Sequence, residues 1–70
     1  MMPLSMIKIG EDASIKKVGG AKELRQHLEN LGFVAGSHVT VVSQIAGNLI
    51  VSVKDSRVAI SREMASKIYV

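Results

Sequence analysis

Apolar positions along this chain change their spacing from segment to segment, and each change marks an element. Leu24, Leu28 and Leu31 recur at i, i+4 and i+7, which places them on one face of a helix. The spacing predicts a helix from Ala21 to Leu31, with Lys22, Glu23, Arg25, Gln26, Glu29 and Asn30 on its outer face. Gly32 follows where a left-handed residue is wanted, because a residue without Cβ adopts positive φ cheaply. Phe33 is then placed to fold back on Leu28 and close a Schellman ending. Gly36-Ser37 marks a second turn, and beyond it β-branched residues take over. A strand is expected from Ser37 to Ile45, turned by Gly47-Asn48. Leu49, Val51 and Val53 then alternate with Ser52 and Lys54 in a strand from Leu49 to Lys54. Asp55-Ser56 makes a tight turn, and Val58-Ala59-Ile60 pairs back.

The two ends follow shorter patterns. Ser5 is placed to cap a helical turn over Met6–Ile9 that Gly10 ends. Ala13, Ile15 and Val18 predict a first strand, with Lys16-Lys17 facing water and a bulge before Gly19-Gly20. Ser61 caps a turn over Arg62–Ser66 without the acid of a full capping box. Ile68-Tyr69-Val70 closes as a last strand. The expected fold is mainly β: a small barrel of about five short strands with one α-helix, residues 1–70 forming a single domain. Closing the sheet removes edges that would otherwise aggregate. Periodicity alone leaves an SH3-like and an OB-like barrel equally open. Leu24, Leu28, Leu31, Val39, Val41, Val51, Val53, Val58, Ile60 and Ile68 are the expected core.

Composition narrows the function classes. A chain of 70 residues buries only about 60% of the surface its unfolded form exposes, so the core is thin. It has no cysteine, which excludes disulfides and cysteine-ligated zinc or iron–sulfur sites. No apolar run approaches the ~20 residues of a membrane helix, and the N-terminus lacks the pattern of a signal peptide. The reading is a soluble, cytoplasmic chain. Nine Lys and Arg against six Asp and Glu give a net charge of +3, with no cationic run longer than two. A nucleic-acid binder gathers its cations on one face, whereas scattered lysines keep a surface soluble.

Catalytic chemistry is poorly supplied. His27 and His38 are the only histidines, and no nucleophile-elbow motif surrounds any serine. Glu11-Asp12 reads as a solvated turn. No enzyme is expected. Ferrous iron favours His and carboxylate ligands, but no H-x-E, H-x-x-x-H or E-x-x-H spacing presets them. Met1, Met2, Met6 and Met64 form a softer set, better suited to copper(I). No metal or cofactor is expected. There is no phosphate-binding G-x-x-x-x-G-K-[ST] loop, and Gly19-Gly20 reads as a turn into the helix. Only Phe33 and Tyr69 are available to stack on nucleic-acid bases or line a proline-rich-peptide groove.

Order and spacing carry a resemblance. Leu31-Gly32-Phe33, then Ala35-Gly36 in place of a Pro-Gly turn, then a Val-rich strand resembles the FeoA family, small cytoplasmic proteins that accompany the bacterial ferrous-iron transporter FeoB. The opening Leu4-Ser5-Met6-Ile7-Lys8-Ile9-Gly10 and the closing Val58 to Val70 are similar to the family's ends. The resemblance implies an SH3-like barrel. It also implies a partner: the chain would bind the cytoplasmic region of a FeoB-like transporter and modulate its assembly or activity. The helix and following turn are the expected contact surface, with Arg25 and Glu29 on the polar face. Leu28 lies at the core's edge, where it serves packing or contact. Two alternatives stay open. One is a small nucleic-acid-binding barrel, which a basic face would favour. The other is a barrel related to the C-terminal domain of DtxR-type metal-dependent repressors, against which stands the lack of preceding DNA-binding helices in these 70 residues.

Overall fold

The computed structural model describes all residues, 1–70. The elements run as a 3-10 turn (Leu4–Met6), strands β1 (Asp12–Ser14) and β2 (Lys17–Val18), helix α1 (Lys22–Asn30), strands β3 (His38–Ile45), β4 (Asn48–Val53) and β5 (Ser56–Ser61), helix α2 (Arg62–Ala65) and strand β6 (Ile68–Tyr69). Strands β1-β3-β4-β5 form one antiparallel sheet, and β2-β6 form a second, two-stranded ribbon.

Two tight hairpins build the larger sheet. Ile45 pairs with Asn48, so Ala46-Gly47 is the first turn; Val53 pairs with Ser56, so Lys54-Asp55 is the second. All four turn residues have positive φ, the geometry whose twist matches the flanking strands. Each turn therefore sits one residue earlier than its Gly-Asn or Asp-Ser signal suggests. A bulge between Val41 and Ser43 shifts the β3–β4 register and bends the sheet. Val39, Val41, Leu49, Val51, Val53 and Ile60 point inward from β3, β4 and β5.

The first strand is two strands. Asp12–Ser14 pairs with β3, and Lys17–Val18 pairs with β6. Between them Ile15 donates its N–H to the Ser37 carbonyl, and Lys16 donates to that of Tyr69. The chain changes sheet at this corner while Ile15 stays buried. The three-residue step from Ile15 to Val18 breaks the period of two and is the trace of that corner in the sequence. The N-terminal turn also differs from expectation. It begins after Pro3, whose φ of −69° suits a helical entry, and Ser5 lies inside it rather than capping it. Its register follows Leu4 and Ile7, both buried, three positions apart as a 3-10 turn requires.

The core holds 13 side chains. Leu28, Val39, Val41, Val51, Val53, Ile60 and Ile68 are buried as expected; Leu24, Leu31 and Val58 pack against the cluster but stay partly exposed. Leu4, Ile7, Ile15, Phe33, Leu49 and Ala65 complete it. Phe33 is the largest fully buried side chain, so the residue read as a cap contact is a main filler of the interior. Ser61 caps α2 as predicted, its Oγ accepting from the Met64 N–H at 3.1 Å.

Candidate functional site

The end of α1 has the predicted Schellman geometry. Phe33 donates its N–H to the Leu28 carbonyl at 3.0 Å, and Gly32 donates to that of Glu29 at 3.0 Å. Gly32 has a φ of +106°. The ending turns the chain sharply and drives the Phe33 ring inward. Val34 and Ala35 are left at the surface beside the helix, half-buried and exposed respectively. The turn is fixed to Ile15, just past the end of β1, since Gly36 donates to the Ile15 carbonyl and Ile15 donates to that of Ser37, while Ser37 donates to Val34 within the turn itself.

A groove of about 190 Å³ opens between this turn, α1 and β2. Val18, Phe33, Val34 and Ala35 form its apolar lining, and Arg25 and Glu29 supply its charges. Arg25 and Glu29 are exposed, and none of the four side-chain hydrogen bonds of the molecule involves them. Two of the three expected contact residues thus share one rim. Leu28 does not join them: it is 0% exposed and supports the helix from the core, because its i, i+4 relation to Leu24 turns it inward. Val34 and Ala35 lie in the turn expected to share the contact surface, and their signal is an apolar run, Phe33-Val34-Ala35, where polar residues are usual. Val18, contributed by β2, falls outside the expected surface.

A second depression, about 310 Å³, is lined by Ser37, His38, Thr40, Ser52, Lys54 and Asp55. It brings a histidine, hydroxyls and a carboxylate to one place. They are not wired for nucleophilic catalysis, which needs a base bonded to its nucleophile. His38 makes no side-chain hydrogen bond, and the Thr40 hydroxyl is committed to the Asp12 carboxylate. No three His, Asp or Glu side chains gather as metal ligands would. No helix is long and apolar enough to cross a membrane.

Comparison with known proteins bears on this arrangement. The FeoA domain family profile matches residues 2–70. A candidate Fe(2+) transport protein A from Methanocaldococcus jannaschii is 37% identical over 70 residues, covering all of this chain and 85% of that one. The crystal structure of Stenotrophomonas maltophilia FeoA, complexed with zinc, superposes with a TM-score of 0.86 at 25% identity over 99% of this chain and 88% of that one. It is described as a prokaryotic SH3 domain protein, which identifies the two sheets here as an SH3-like barrel. A manganese-dependent transcriptional repressor superposes with a TM-score of 0.88 at 17% identity, over 97% of this chain and 39% of that one. That likeness is one of fold alone.

Proposed function

This chain belongs to the FeoA family, and on that footing we propose that it is a cytoplasmic accessory protein of ferrous-iron uptake. It binds the cytoplasmic region of a FeoB-like membrane transporter and modulates that transporter's assembly or activity. The observation that carries this reading is the family match over residues 2–70, joined by 37% identity to a relative whose name is that of an Fe(2+) transport protein. The structure supports it in two ways. The barrel offers no wired catalytic group, and the rim of α1 offers Arg25 and Glu29 unengaged beside apolar surface. Binding modulates a partner by stabilising whichever of its states it contacts best.

The test is capture of the transporter's cytoplasmic domain by wild type and by Arg25→Glu at two ionic strengths. Charged rim residues act mainly on association rate, and their influence is screened within about 10 Å at 0.1 M salt. Arg25→Glu is expected to weaken capture more at low salt than at high salt. Wild type that ignores the transporter at every salt concentration but binds DNA or RNA would replace this reading with that of a nucleic-acid-binding barrel.

A further inference from the structure

The groove beside α1 has the size and lining of a socket for a single apolar side chain. Its volume is about 190 Å³. An apolar cavity of about 150 Å³ holds one benzene ring, whereas ligand and cofactor pockets start near roughly 300 Å³. The floor has few polar handles. The N–H groups of Phe33 and Val34 are already spent on the Leu28 and Gly32 carbonyls, and of the turn residues that line the groove Ala35 alone keeps an N–H without a backbone acceptor. A polar ligand would therefore find few donors there, while an apolar side chain would meet the side chains of Val18, Phe33 and Val34.

The rim narrows the choice of occupant. Arg25 and Glu29 carry opposite charges one helical turn apart, about 6 Å along the axis. Both are exposed and neither side chain is hydrogen-bonded within the chain. A uniformly charged ligand, such as a nucleic-acid backbone or an anionic lipid surface, would be attracted by one and repelled by the other. A protein segment with both signs satisfies both. We propose that the groove is a docking socket for a segment of the protein partner. That segment inserts one leucine-sized or aromatic side chain, with a carboxylate reaching Arg25 and a cationic side chain reaching Glu29. The inference rests on the transporter reading above and adds the chemistry of the contact. The buried anchor supplies the affinity, and the flanking pairs set register and orientation.

The experiment is calorimetric titration of the full chain with the soluble cytoplasmic domain of a FeoB-like transporter. Ala35→Trp fills the socket from an exposed position, and Ile45→Trp adds the same bulk at a 61% exposed residue outside it. Ala35→Trp is expected to raise Kd by at least about tenfold, and Ile45→Trp by less than about twofold. Thermal unfolding checks that Ala35→Trp is folded. The double reversal Arg25→Glu, Glu29→Arg, confined to the exposed helix face, tests the charges without touching the floor and is also expected to weaken binding. Wild-type binding that Ala35→Trp leaves within about threefold would overturn the socket and leave the transporter reading intact. Absence of wild-type binding would overturn both. Self-association of wild type in sedimentation velocity, abolished by Ala35→Trp, would make the occupant a second copy and overturn the assignment to a partner segment.

Discussion

The β3–β4–β5 meander and the β2–β6 ribbon are both antiparallel, yet they are held together in different ways. The meander pairs neighbours through two-residue turns and runs 6 to 8 residues per strand. The ribbon pairs two residues with two, Lys17 with Tyr69 and Val18 with Ile68, from near opposite ends of the chain. Local pairing closes small loops and costs little entropy, while the ribbon must wait for almost the whole chain to be in place. The ribbon draws support from outside its own ladder. Pro3 bridges to Tyr69, Met2 and Val70 exchange backbone hydrogen bonds, and Gly19 donates to the Lys67 carbonyl. One half of the barrel is written in local sequence. The other exists only as a consequence of the whole fold, and the proposed socket borrows a wall, Val18, from that second half.

A pair of truncations should separate the meander from the ribbon most strongly. Leu49 and Ile68 are both 0% exposed. Leu49→Ala and Ile68→Ala should each cost ~2–5 kcal/mol, a large part of a small domain's stability. Their kinetics should differ. Leu49→Ala in the meander should slow folding, whereas Ile68→Ala in the ribbon should mainly speed unfolding. Stopped-flow chevrons measure both, and equal partitioning of the two losses would erase the distinction.

Gly32→Val comes next. Gly32 holds φ at +106°, which a β-branched residue tolerates poorly. The expected loss is of order 1–3 kcal/mol in denaturant melts. An added Cβ lies 3.5 Å from the aliphatic stem of Lys54, ordinary contact, so the cost is one of backbone and not of crowding. Gly32→Ala should therefore be destabilising too, despite its small side chain. Ser61→Ala removes the cap of α2 at the end of the meander and should cost about 1 kcal/mol. The smallest effect belongs to the ribbon's own backbone. Gly19→Ala brings a Cβ to 3.3 Å from Cε2 of the half-buried Tyr69 ring, which can yield. A loss below about 1 kcal/mol is expected; a larger one would mean that the ribbon is packed as rigidly as the meander.

These differences also explain what could be read beforehand. The helix, its Gly32-Phe33 ending and the alternation of Leu49, Val51 and Val53 are local signals, and each appears in the structure where its spacing puts it. The hairpin turns were displaced by one residue because Ala46, Lys54 and Asp55 occupy left-handed positions that composition alone assigns to glycine or asparagine. The split at Ile15-Lys16 was hidden because its causes, Ser37 and Tyr69, lie far along the chain. Burial of Leu4 and Ile7 depends likewise on a distant partner, since the N-terminal turn packs against α2. At the candidate site, periodicity separates the outward Arg25 and Glu29 from the inward Leu28, but the apolar floor arises only when β2 meets the turn after α1.

The proposed contact between this barrel and a FeoB-like transporter lies where α1, its following turn and β2 converge. Titrating ¹⁵N-labelled chain with the transporter's cytoplasmic domain reads it out residue by residue, because every backbone amide reports its own surroundings. Shift changes are expected to concentrate at Val18, Arg25, Glu29, Val34 and Ala35, with the Ala46-Gly47 hairpin unmoved. A spectrum unchanged at saturating partner, or changes confined to β5 and the hairpins, would contradict it.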